Sequence, residues 1–111
     1  MSHAEEFAGR LRERVVIEAP VEERTPTGVR VGEWREVARC LAAISARGAG
    51  AEAEGMALSA MGRFVATIRW RDGIAMGQRL RWRGRLYLIR RLMDDPRLPD
   101  RIELEIEEWR A

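Results

Sequence analysis

Hydrophobic and polar residues alternate along most of the 111-residue chain, and the alternation predicts strands. From Leu11 to Glu18, Leu11, Val15 and Ile17 share one face while Arg12, Arg14 and Glu18 share the other. Residues 20–32 read as a loop: Pro20, Pro26, Gly28 and Gly32 stand among charged residues, with Thr25-Pro26-Thr27-Gly28 at the tip. A second extended run follows from Trp34 to Ile44. Structure resumes at Arg63, where Phe64, Ala66, Ile68 and Trp70 alternate with Val65, Thr67, Arg69 and Arg71. Asp72-Gly73 marks a turn. Residues 78–89 are broken at Arg83-Gly84 and predict a tight hairpin, with Leu80 and Trp82 before the break and Leu86 and Leu88 after it. Asp94-Asp95-Pro96 opens a further loop that Pro99-Asp100 closes. In the last run, Ile102, Leu104 and Ile106 face one way and Glu103, Glu105 and Glu107 the other.

Six short strands joined by turns predict a single domain, residues 1–111, with a mostly β fold: a small antiparallel barrel or sandwich. Between the second and third strands, Ser45 to Gly62 breaks the pattern. This segment is rich in glycine and alanine, lacks bulky anchors and is too long for an ordinary connection. It reads as a flexible insertion (residues 45–62), with a short helix near residues 51–61 compatible with its alanine and glutamate content.

Composition narrows the function classes. The formal net charge is +2, so the chain is not a strongly basic nucleic-acid binder by bulk charge. All twenty basic residues are arginine, and lysine and asparagine are absent, as a GC-rich coding sequence produces. Charge is segregated. Residues 69–91 hold eight arginines against Asp72, and residues 94–108 hold seven acids against Arg97 and Arg101. Two arrangements satisfy this pattern. The acidic strand can pair with the basic hairpin within one molecule, or the basic edge of one subunit can meet the acidic edge of the next. Arg69, Arg71, Arg79, Arg81, Glu103, Glu105 and Glu107 are accordingly candidate inter-subunit contacts.

Catalytic chemistry finds little support. His3 is the one histidine, near a chain start expected to be mobile, which disfavours a triad or a histidine metal site. Cys40 is the one cysteine and reads as a buried small hydrophobe in a reducing compartment. The acidic pairs Glu22-Glu23, Asp94-Asp95 and Glu107-Glu108 read as solvated loop or strand ends, and no phosphate-binding glycine loop is present. No cofactor and no enzyme activity are expected. The absence of a run of about 20 apolar residues, and Glu5 and Glu6 near the start, argue against a membrane span or a signal peptide. Assembly in the cytoplasm is the expectation. The alternation of Arg69, Trp70 and Arg71, and of Arg79, Arg81, Trp82 and Arg83, offers an alternative reading as a nucleic-acid-binding barrel. Against it, Trp70 and Trp82 share faces with Ile68 and Leu80 and are expected to point into the core.

In order and spacing the strand residues resemble the phage head–tail joining family, the head-closure, stopper or adaptor proteins of long-tailed phages. The resemblance runs from about Gly9 to Trp109. It begins at Gly9-Arg10-Leu11 with Arg14, passes Gly28 and Trp34, and includes Leu41-Ala42-Ala43-Ile44, where Leu41 stands in place of a common tryptophan. Val65-Ala66-Thr67-Ile68-Arg69-Trp70-Arg71 follows, then Ile74, Gly77 and Arg79, and Gly84-Arg85-Leu86-Tyr87-Leu88-Ile89 completes it. The resemblance implies a structural ring at the head–tail connector of a virion or phage-like particle such as a gene transfer agent. That ring would sit between the portal or adaptor above and the tail terminator or tail tube below, and would retain packaged DNA without sequence recognition. A tail-terminator ring is a near neighbour of this reading. It further implies that the 45–62 insertion projects into the channel as a gate, with Gly48, Gly50, Glu52, Glu54, Gly55 and Met56 as gate residues.

Overall fold

The computed structural model describes residues 3–46 and 62–109. The implied gate residues Gly48, Gly50, Glu52, Glu54, Gly55 and Met56, and the helix considered near residues 51–61, lie outside the described residues. A short helix, α1 (His3–Arg10), precedes six strands: β1 (Glu13–Thr25), β2 (Gly28–Ser45), β3 (Arg63–Arg69), β4 (Arg79–Trp82), β5 (Arg85–Asp95) and β6 (Leu98–Glu108). They pair antiparallel in the order β1-β2-β3-β6-β5-β4, and β4 returns to β1 to close a barrel. The expected antiparallel β fold, with the insertion between the second and third strands, is therefore the one observed.

The core follows from the alternation. Val15 and Ile17 of β1, Ile68 of β3, Leu80 of β4, Ile89 of β5 and Leu104 and Ile106 of β6 are essentially removed from solvent. Burial of each contributes about 1.5–3 kcal/mol relative to exposure. Ala38, Ala42 and Ala66 take buried inward positions on β2 and β3, alternating with the partly buried Cys40, Ile44 and Phe64. Small residues opposite large ones are what a barrel this narrow can accommodate. At its closing end, Phe64, Trp82 and Tyr87 meet edge-on or tilted at centroid distances of 5.2–5.8 Å.

Three expectations change. The 20–32 loop is instead a continuation of β1 and β2, which stay paired from Glu13–Ala42 out to Thr25–Gly28, leaving only Pro26-Thr27 as the turn. Pro20 is tolerated because β4 flanks β1 only at Val16–Glu18; past that point β1 has a partner on one side alone. Val37 and Gly32 are extra residues in β2, bulges that increase the local twist. The loop at Asp94–Asp100 likewise shrinks to the turn Pro96-Arg97 between β5 and β6. Finally, the chain start forms α1, and Leu11 lies just after that helix and not in a strand with Val15 and Ile17.

Helix α1 packs on the outside of the barrel. Phe7 is fully buried beneath the guanidinium of Arg101, whose Cζ is 4.0 Å from the ring centroid, with Arg69 at 5.9 Å. Both arginines occupy outward positions, since their neighbours Ile68 and Ile102 point inward. β2 pairs with β3 only through Ala43–Ser45, so the two strands splay apart beyond, and Ala8 and Leu11 lie against that opening with Cys40, Leu41, Arg69 and Arg71.

Candidate functional site

The outer face of β6 carries the acidic stripe, and the ladder sets its partners. β6 lies between β3 and β5, so Glu107 faces Arg63 on one side, while Arg90, the extra residue at the β5 bulge, reaches it from the other. Both nitrogens are 3.7 Å from its Oε2. Glu105 lies opposite Arg91, at 3.9 Å, and Glu108 binds Arg85 at 2.9 Å. Most of these side chains are well exposed, and each such contact is worth about 0.2–1 kcal/mol. Glu103 has no ion-pair partner among the described residues. Of the two arrangements the charge segregation allowed, pairing within one molecule accounts for Glu105 and Glu107.

The predicted basic contacts divide. Arg79 is committed internally: its Nε donates to Glu18 Oε1 at 2.7 Å, and both side chains are only 14% exposed. Its guanidinium lies 4.3 Å from the centroid of Trp34 and 5.7 Å from that of Trp109, which themselves meet edge-on at 5.2 Å. Arg81 reaches the same Glu18 oxygen at 3.4 Å but stays half-exposed. Arg69 is exposed over Phe7, and Arg71 lies beside Cys40 near the opening between β2 and β3. The seven expected contacts thus lie on three strands and their ends: Glu103, Glu105 and Glu107 along β6, Arg79 and Arg81 on β4 beside Glu18, and Arg69 and Arg71 at and beyond the end of β3.

Other surface features escaped the sequence reading. Trp70, expected in the core, is 49% exposed, because β3 ends at Arg69 and the alternation ends with it. Trp82 is half-buried against the core as expected, and its indole Nε1 donates to Glu13 Oε1 at 2.8 Å. Leu41 and Met76 are also exposed. From Ala19 to Glu36, β1 and β2 form an arm of two strands with no third strand beside it among the described residues, and the molecule is correspondingly long, 56 × 30 × 25 Å. Val29 near its tip is exposed. The signal for the arm lay in the β-branched Val21, Thr25, Val29 and Val31 on either side of Pro26-Thr27, and that for the helix in the i, i+4 spacing of Phe7 and Leu11.

Titratable groups are tuned by local contacts and by burial. A two-toothed ion pair with Arg101, at 2.9 and 3.2 Å, holds the Asp100 carboxyl below the usual aspartate range, and Arg97 does the same to Asp95. Burial pushes the Cys40 thiol up, with Arg71 opposing it. Among the described residues no cluster of three or more His, Cys, Asp or Glu side chains is placed to hold a metal ion.

Protein SF1141 from Shigella flexneri 2a, known from a solution structure, is similar to this chain. The two superpose with a TM-score of 0.66 at 24% identity, over 90% of this chain and 94% of that one, a likeness that speaks for the fold. No curated protein matches the sequence. The family model for phage head completion proteins matches residues 8–108, from within helix α1 to the end of β6, and so takes in the whole barrel: the chain belongs to the phage head completion family.

Proposed function

We propose that this chain is a ring-forming subunit of the head–tail connector, joining the portal or adaptor to the tail and helping to keep packaged DNA in the head. Membership in the head completion family carries a structural role in a phage particle, and the match across the entire barrel is the observation on which the finer reading rests. The form of the molecule is consistent with it. The barrel itself closes through β1–β4 pairing, so association would use side-chain surfaces and the two-stranded arm, whose outer edges are left unpaired among the described residues. Exposed Leu41, Trp70, Met76 and Val29 supply apolar contact area of the kind that subunit interfaces bury.

The test is reconstitution. DNA-filled heads that lack this chain are incubated with the purified protein, then challenged with nuclease and with free tails. Restored nuclease resistance and tail attachment are expected, with rings at the head vertex by electron microscopy. Protein that neither binds the heads nor changes their nuclease sensitivity overturns the reading. Light scattering is expected to show monomers or weak association in isolation, and an obligate compact dimer at micromolar concentration would argue against ring assembly on a platform.

A further inference from the structure

The alternative suggested by the interleaved arginines and tryptophans placed nucleic-acid contact on Arg69, Arg71, Arg79 and Arg81. The fold disperses that set, but it assembles another. At the end of the barrel where β2 finishes, a cleft of about 580 Å³ is lined by Gly9, Arg10, Arg12, Glu13, Trp82 and Arg83 together with the last residues of β2. Three exposed arginines from three separate places, the helix end, the α1–β1 link and the β4–β5 turn, line it together with a single carboxylate, Glu13.

That carboxylate is already occupied. Glu13 Oε1 accepts from Trp82 Nε1 at 2.8 Å and from Arg83 Nε at 3.0 Å. Arg12 is oriented by the helix terminus, its Nε donating to the Gly9 carbonyl at 3.0 Å. Arg10 has no ion-pair partner among the described residues, and it, Arg12 and Arg83 are all exposed. Elsewhere the basic side chains of β4 and β5 face Glu18, Glu105, Glu107 or Glu108. The cleft sets three arginines against the one carboxylate of Glu13, a local excess of positive charge.

Arg83 is held at its rim by an unusual backbone. Its φ is +50° and that of Gly84 is +75°, the conformation of a tight hairpin turn in which the first position favours asparagine, aspartate or glycine. A long cationic side chain there is locally unfavourable, and it projects over Trp82 with its Cζ 5.1 Å from the ring centroid.

From this arrangement we propose that the Arg10–Arg12–Arg83 cleft binds the phosphodiester backbone of duplex DNA. The cleft is far larger than one phosphate group, which favours a polyanion. Trp82 is not available to stack a base, because Phe64, Tyr87 and Arg83 already surround its ring. Contact is therefore with phosphates and insensitive to sequence, a duplex mode and not the base-stacking mode of single-strand binders. The proposal deepens the connector reading by naming the surface that meets the retained DNA.

Fluorescence anisotropy of the full chain with a mixed-sequence duplex of about 20 base pairs tests it. The variant combines Arg10→Gln, Arg12→Gln and Arg83→Asn; asparagine suits the turn, so the hairpin is kept, and an unchanged melting curve verifies folding. A control removes equal charge from the arm and its base through Arg24→Gln, Arg35→Gln and Arg39→Gln. The cleft variant is expected to bind at least about tenfold more weakly at low salt, with the slope of log affinity against log salt shallower by roughly 2–3. The control is expected to bind like the parent. Equal losses in the two variants, no loss in the cleft variant, no measurable duplex binding by the parent, or tighter binding to single strands or to poly-glutamate than to duplex each overturn the proposal. Head reconstitution separates the two readings: a chain that restores heads but does not bind duplex refutes the cleft alone, and one that binds duplex but does not restore heads refutes the connector role.

Discussion

Glu18 and Arg79 face each other across the last rung of the β1–β4 ladder, and two indole rings shield the pair from water. Truncation at Arg79 would strand a largely buried carboxylate with only the more distant Arg81. Arg79→Ala is therefore expected to cost about 2 kcal/mol in urea denaturation, against less than about 1 kcal/mol for the half-exposed Arg81→Ala. Tryptophan emission should shift in the first variant alone, because Trp34 and Trp109 lose their cation. The part-exposed Asp95 and Asp100 hold pKa values below that of an unfolded aspartate, through their hydrogen bonds to Arg97 and Arg101. A depressed carboxyl contributes its stabilisation above the unfolded pKa and loses it as pH falls through the folded value. Melting temperature should accordingly decline on the acid side, below the ordinary aspartate range, and Asp100→Asn should flatten part of that limb. Such pairings were only half visible in the sequence. The acidic and basic runs stood out, but which arginine meets which glutamate depends on register and on a bulge at Arg90, and neither leaves a local signal.

Strands that bury one face were legible element by element. In β6, Ile102, Leu104 and Ile106 alternate with glutamates, and a one-residue slip would reverse every one of them, so the pattern fixes the strand. The β4–β5 hairpin was equally plain from Arg83-Gly84. The arm was misread as a loop because proline and glycine normally end strands. An edge strand forgives a proline, and a bulge absorbs a glycine at Gly32. Helix α1 was missed for a different reason: eight residues give barely two turns of periodicity, and its stability comes from one anchor. Phe7→Ala is expected to release the helix and destabilise the protein by about 2–4 kcal/mol, with loss of helical signal in circular dichroism while the β signal persists. The arm behaves in the opposite way. Replacing residues 22–31 by a two-residue Asn-Gly turn should leave the thermal melt of the barrel nearly unchanged, since those residues contribute nothing to the core cluster. The same replacement should impair attachment to heads if the arm is an assembly contact.

Across the whole molecule, the fold class and the family follow from strand order, whereas the basic cleft follows from closure. Arg10, Arg12 and Arg83 are separated by some seventy positions in the chain, and they become neighbours only because β4 returns to β1 and brings the β4–β5 turn beside the helix end. No spacing rule finds such a set. That return is one of the two shortest seams in the cylinder, with three residue pairs, Val16–Arg81, Ile17–Leu80 and Glu18–Arg79, as many as β2 and β3 share through Ala43–Ser45 and fewer than the seven between β3 and β6. A closed ring of strands opens first where its stitching is thinnest. Amide deuterium uptake should be faster at the two short seams, at Val16 to Glu18 with Arg79 to Arg81 and at Ala43 to Ser45, than along the β3–β6 rungs. If such subunits hold back pressurised DNA as proposed, they would yield first along one of these two short lines, which makes the Glu18–Arg79 clasp a rivet on one of them as much as a stabilising contact.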